Sequence, residues 1–391
     1  MLYGGSAITT EKGFRMARAN VGAREGRWYW ECKILGGIKA PDQADVDGGD
    51  AESGGHVRIG WARREASLDG PVGFDAYSYS LRDVSGQKVH MSRPKDFANN
   101  SDFCEGDIIG LEIVLPSMSL HRKVVEGVYN KAVDVTDDLD PSASSQAPDI
   151  VRDRVAIRYR AHLYFEQYEY HPTKDLEELM NPSTAAVTNT MTPEADPPNP
   201  NHPQAPLRTL PLSCINIYKN GELLGTPFTD LLAFLPPASK PLSQVGAREG
   251  LDDGMLGYYP AVSVFRGGTA ETNFGPDFWF PPPGLTKDHD LEMGNTADTI
   301  TNPTTKQHIA GAHSRLRPMS QRFNEQIAED VVYDVIDEVD FWALDGGESE
   351  GAMKGLSETG PIVIGPEVVD AGVAEVTGPV MNGISAESKG V

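Results

Sequence analysis

Apolar and polar residues alternate with a period of two along much of the first 280 positions. The runs are "GRWYWECKIL" (26–35), "HVRIGWA" (56–62), "YSYSLRD" (77–83), "DIIGLEIVL" (107–115), "HLYFEQYEY" (162–170), "CINIYKNGELLGTPF" (214–228), "YYPAVSVFRG" (258–267) and "ETNFGPDFWF" (271–280). A period of two places successive side chains on opposite faces of a strand, and Gly, Asp, Asn or Pro bounds nearly every run. Within "YKNGELLG", Asn220-Gly221 is the dipeptide that tolerates positive φ at a type I′ hairpin turn. The pattern predicts an all-β fold, a meander or an antiparallel sandwich.

Between the runs lie polar, proline-punctuated intervals at 40–55, 134–149, 181–206 and 284–313. Their apolar content is too low to offset the entropy of ordering them, so they are expected as disordered insertions and, at 284–319, as a linker. The acidic stretch 40–55 lacks the spacing of a calcium loop and reads as solvated chain.

Near the C-terminus the period changes. Over 324–342, Ile327, Val331, Val332, Val335, Ile336 and Val339 recur at spacings that collect them on one helical face. Asn324 is the expected N-cap and Gly346-Gly347 the expected stop. Valines are weak helix formers and a helix of this length is marginal alone, so it needs a partner surface. That surface is either the sandwich or another chain; the narrow β-branched face and the long polar interval before it favour docking to another chain. The tail over 344–391 has no pattern and is expected to be disordered.

Composition sharpens this picture in three ways. Hydrophobic residues make up 39% of the chain, enough for a core, and 40 Gly with 29 Pro fit many short strands. Against 57 acidic side chains stand 34 Lys and Arg, a net charge of -23, which makes nucleic acid a poor ligand. Three separated cysteines suggest neither a disulfide scaffold nor a zinc site. The N-terminus has no secretory pattern and no run approaches a membrane span, so a soluble intracellular chain is expected.

Searches for catalytic chemistry return little. There is no GxSxG, HExxH, Walker loop or strand-borne GxGxxG, and the histidines share no metal-ligand spacing, so no catalytic residue, metal or cofactor is expected. More informative is Arg58, which stands between Val57 and Ile59 and must point out of the core if they point in. Arg82 follows one hairpin later, Lys88 lies nearby, and Pro71, Phe74 and Tyr77 sit in the intervening loop. Two guanidiniums beside an aromatic wall suit an acidic or phosphorylated peptide; alternatively Arg58 pairs with Asp75 or Asp83 of its own chain.

Taken in order, "EKGFRMARANVGAREGRWYWE", "HVRIGW", "GPVGFDAYSYSLRD", "GDIIGLEI", "AHLYFEQ", "IYKNGELLG", "YYPAVSVFRGGTAETNFGPDFWFPP", "RPMS" and "EDVVYDVIDEVD" resemble the SPRY-domain subunit of COMPASS, or trithorax-type, histone methyltransferase complexes. The likeness runs from about residue 7 to 342 and is interrupted at the polar insertions. It implies a two-sheet SPRY β-sandwich over 7–283, a docking helix over 320–343 and no enzymatic activity. It further implies a nuclear scaffold that joins a WD-repeat subunit to a SET-domain methyltransferase acting on lysine four of histone H3, and reaches the nucleosome only indirectly. The family pocket for an acidic, phosphorylation-sensitive segment of the WD-repeat subunit maps onto Arg58, Arg82, Pro71, Phe74 and Phe14. A pocket lysine of the family falls on Val84, with Lys88 as a nearby substitute. The helix would dock a small dimeric subunit of the Dumpy-thirty type. The alternative is a SPRY substrate receptor such as a ubiquitin-ligase adaptor, although no RING, coiled coil or box-like helix accompanies it.

Overall fold

The computed structural model describes residues 7–39, 54–97, 101–134, 154–159, 162–167, 174–181, 197–239, 252, 254–285 and 315–345, with backbone alone at 154–159, 162–167, 337 and 340–345. The expected insertions at 40–53, 135–149 and 182–196, the linker at 286–314 and the tail from 346 lie outside the described residues.

Fifteen strands are described: β1 Ala7–Thr9, β2 Arg15–Arg18, β3 Gly26–Gly36, β4 His56–Arg63, β5 Ser78–Arg82, β6 Lys88–His90, β7 Arg93–Lys95, β8 Ile108–Leu115, β9 Arg154–Tyr159, β10 His162–Gln167, β11 Cys214–Lys219, β12 Glu222–Thr229, β13 Tyr258–Phe265, β14 Thr269–Asn273 and β15 Leu316–Pro318. One sheet has the order β1-β14-β3-β8-β11-β12, with β15 joining β3 in parallel. The other has the order β2-β13-β4-β5-β6-β7 and is antiparallel throughout. Strands β9 and β10 form a separate hairpin.

Alternation explains why the two sheets face each other. In β3, Trp28, Trp30, Cys32 and Ile34 enter a shared core, as do Val57, Ile59 and Trp61 from β4 and Ile109, Leu111 and Ile113 from β8. The Trp30 and Trp61 rings meet edge to face at 6.2 Å at its centre. Truncating either would remove about 3–5 kcal/mol of stability. The fold is therefore the expected all-β, two-sheet antiparallel sandwich.

Several local expectations change. The run 271–280 is a strand only to Asn273. Beyond it, the Trp279 and Phe280 amides donate to the buried Glu31 carboxylate at 2.7 and 2.9 Å and strap the chain over the outside of β3. The 284–319 linker ends in β15, whose Leu316 is buried, because Leu316–Pro318 adds to the edge of Arg27–Tyr29. The last part of the 181–206 insertion, 197–206, packs against the sandwich: His202 is buried and its carbonyl accepts from Arg208 at 3.0 Å.

Among the described residues three α-helices accompany the strands: α1 Met118–Glu126, α2 Lys174–Met180 and α3 Met319–Asp345. Helix α1 was not signalled by the period-two pattern, yet its ends carry ordinary caps. Ser117 accepts from the Leu120 amide, and Gly127 closes the helix in the left-handed conformation. Helix α3 begins five residues before the expected N-cap, so Asn324 is a helical interior residue. Its first turns are fastened to the sandwich, with Met319 buried in the core. The Arg322 guanidinium donates to the Gly22 carbonyl, Gln326 and Glu329, while Arg317 lies 4.3 Å over the Trp28 ring.

Candidate functional site

Strand β4 sets the site. Arg58 lies directly opposite Arg82 on β5 and Ser263 on β13. Opposed residues of antiparallel neighbours share a face, so the three form a row on the outside of the second sheet, away from Val57, Ile59 and Leu81 in the core. Like charges directly opposite each other destabilise a strand pair unless something offsets them.

What the chain supplies is aromatic. The Phe14 ring lies 5.1 Å from the Arg58 guanidinium and stacks on Phe265 at 4.6 Å, nearly parallel. Among the described residues neither Arg58 nor Arg82 has a side-chain hydrogen bond or an ion pair. The two aspartates that could have neutralised them are engaged elsewhere. Asp83 is buried, accepts from the Val57 and Val84 amides and lies 3.0 Å from His56 Nδ1. Asp75 accepts from the Tyr77 amide and the Ser78 hydroxyl. Burial, and then the charge of Arg82, lower the Arg58 guanidinium from its ordinary value, with Asp83 acting in the opposite sense. An arginine stays charged even so, which leaves the pair best satisfied by an anion from outside.

The loop between β4 and β5 is tied to the same outer face, at the serine opposite Arg58. Its Ala66, Val72 and Ala76 pack with Met16, Ala62 and Ala261 in a second apolar cluster. Outward-facing serines then pin its backbone: Ser263 accepts from the Val72 amide, Ser80 donates to the Val72 carbonyl, and Ser78 accepts from the Gly73 amide. Gly73 has φ +83°, and a Cβ there would stand 2.4 Å from the Ser80 hydroxyl, so glycine is required for this close approach. Pro71 and Phe74 flank the pinned residues, Pro71 half-buried and Phe74 exposed. Asp75 ends the loop with its carboxyl pushed up to about 6 by burial, against the hydrogen bonds it accepts.

Lys88 does not belong to this constellation. It pairs with Leu81, shares that residue's face, and donates to the Pro227 carbonyl at 2.6 Å beside the Phe228 ring. The short helical turn Val84–Gly86 sets this register and turns Lys88 toward the other sheet, on the opposite face from Arg58 and Arg82. Sequence reading also missed His56, Phe265 and Arg266: Phe265 stacks on Phe14, His56 lies nearly parallel to the Phe265 ring at 6.5 Å, and Arg266 lies 5.0 Å from that ring.

The second candidate surface is the outer length of α3. Ile327, Val331, Val332, Val335, Ile336 and Val339 are each 47–60% exposed, and Phe323 joins them at 40%. An exposed apolar stripe of this kind is what interaction faces of helices present. No group of metal-ligating side chains is found among the described residues, and no described helix is long and apolar enough to cross a membrane.

Fold and site together define an antiparallel β-sandwich that carries two opposed arginines on its outer face and a helix, fastened at its base, with an exposed apolar stripe. No family model matches the chain. It is 58% identical over 367 residues to the COMPASS component cclA of Colletotrichum higginsianum, covering 91% of this chain and 64% of that protein. Over 275 residues it is 26% identical to the Set1/Ash2 histone methyltransferase complex subunit ASH2 of Drosophila melanogaster, covering 70% of this chain and 33% of that one. A crystal structure of a human SPRY domain aligns at TM-score 0.32 with 13% identity, covering 71% of this chain and 96% of that one; the fold stands on the strand pairing itself. The chain belongs to the family of these COMPASS and Set1/Ash2 complex components. It spans less than two thirds of the length of the Colletotrichum protein, 64% of it.

Proposed function

We propose that this chain is a non-catalytic scaffold subunit of a nuclear histone H3 lysine-four methyltransferase complex. Its sandwich takes an acidic segment of a WD-repeat subunit between Arg58 and Arg82, walled by Phe14, Pro71 and Phe74. Its helix α3 docks a small dimeric subunit through Ile327, Val331, Val332, Val335, Ile336 and Val339, and both contacts serve a SET-domain methyltransferase.

One observation carries the pocket: two guanidiniums are directly opposed on adjacent strands and have no anionic partner among the described residues. Leaving them so is costly for an isolated chain and useful for one that meets carboxylates or phosphates. The relatives' names support membership of such a complex, and the exposed valine stripe on a fastened helix supports the second contact.

A titration of the WD-repeat subunit's acidic segment tests the pocket. A charge-assisted contact of about 1.5–3 kcal/mol predicts that Arg58→Ala weakens binding about ten- to a hundredfold. Unchanged affinity would overturn the pocket. Val335→Glu, at an exposed position, is expected to abolish co-purification of the dimeric subunit while the sandwich stays folded; retained co-purification would overturn the docking role.

A further inference from the structure

The turn between β13 and β14 places a third cation beside the pocket. Gly268 donates to the Phe265 carbonyl at 2.9 Å, and both central residues are left-handed, Arg266 at φ +49° and Gly267 at φ +83°. This is the type I′ geometry, for which Asn, Asp and Gly are the favoured residues at the first central position. An arginine there works against the backbone preference of the turn. The turn is nevertheless well fixed, because the Gly267 amide also donates to the Thr10 carbonyl at 2.7 Å.

Arg266 is exposed, and its guanidinium lies 5.0 Å from the centre of the Phe265 ring. Phe265 stacks on Phe14, and Phe14 carries Arg58. Two stacked rings thus bear one guanidinium each. Among the described residues Arg266, like Arg58, has no side-chain hydrogen bond or ion pair, and its contact is with the ring alone. The nearby carboxylate of Asp83 is taken up by His56 and two backbone amides.

We infer that Arg266 is a specificity residue that reads a second acidic residue on the segment held by Arg58 and Arg82, so that the groove selects the spacing of charges as well as their presence. This rests on the reading of Arg58 and Arg82 as an anion site. The three contacts of 5.1, 4.6 and 5.0 Å put the Arg266 guanidinium no farther than about 15 Å from that of Arg58. An extended peptide covers that span in about four residues.

The test uses the full chain and two synthetic Gly/Ser peptides. One carries a single Glu-Glu pair; the other carries a second Glu-Glu pair four residues further on. Arg266→Asn removes the charge and suits the left-handed turn. It is expected to weaken the two-pair peptide about two- to fivefold at low salt and to leave the one-pair peptide unchanged. Arg58→Ala is expected to weaken both. Equal loss for both peptides with Arg266→Asn, or no loss for either, would overturn the spacing role while leaving the pocket standing. If Arg58→Ala changes neither peptide, the anion site itself fails and the spacing role with it.

Discussion

Strand β4 carries two arginines whose surroundings differ in one decisive respect. Arg63, on the core side, is fully buried and answered within the chain: it pairs with Glu65, donates to Ser239 and to the Ala233 carbonyl, and covers the Tyr77 ring. Arg58, five residues earlier and on the opposite face, has a phenyl ring for company and another arginine across the strand. A guanidinium with its acceptors inside the chain holds the fold together. Under the proposed function, one left beside a like charge is kept for a partner's anion. Helix α3 repeats the contrast along its length, since its first turns are held by Arg317 and Arg322 while Phe323, Ile327, Val331, Val332, Val335, Ile336 and Val339 stay exposed.

The sharpest way to break this comparison is to remove the buried member. Burial works to raise the Glu65 carboxyl, but the Arg63 charge and the hydrogen bonds from Arg63 and Ser239 outweigh it and hold it low. Arg63→Ala would strand that charge in the interior and is expected to cost about 3–5 kcal/mol in urea unfolding. A loss below about 1 kcal/mol would mean that Arg63 is not the anchor described.

A smaller effect is expected from Asp75, which ends the β4–β5 loop and holds the Tyr77 amide and Ser78 hydroxyl. Its folded-state value of about 6 lies above the ordinary 3.8, so the folded state holds more protons between those values. Unfolding free energy should therefore fall as pH rises from about 4 to 6 and level off above that, by roughly 1–3 kcal/mol from this group. Comparing wild type with Asp75→Asn across that window isolates the term. Parallel profiles for the two proteins would contradict it.

The smallest change in stability belongs to Arg58→Ala. Relief of the Arg58–Arg82 repulsion offsets the lost ring contact, so the unfolding free energy should stay within about 0.5 kcal/mol of wild type. A loss of 2 kcal/mol would make Arg58 a structural residue like Arg63.

Much of this was legible in the chain. Strict alternation in "HVRIGW" assigned Arg58 to the outer face without any contact information, and the direct pairing of Arg58 with Arg82 puts both on it. Lys88 was misplaced because its face depends on the length and hydrogen bonding of the turn at 84–86, which period-two counting does not carry. Arg266 was hidden inside a run taken as continuous strand; the Gly267-Gly268 pair after it was the available turn signal. Phe14 could be placed only by family likeness, since the stack on Phe265 joins residues about 250 positions apart. Helix α3 was visible from its spacing, but its start was not. The fastening at Arg317 and Arg322 is made to distant backbone and rings, and no local cap marks it.

The most direct measurement is the NMR signal of the Arg58 Nε–Hε group in the full chain, followed while an acidic peptide is added. With Arg58 unpaired, the signal is expected to exchange rapidly with water in the free protein, and to shift and become protected as peptide binds. A signal already protected in the free protein and indifferent to peptide would show that the chain satisfies Arg58 itself, and the open cationic groove would be wrong.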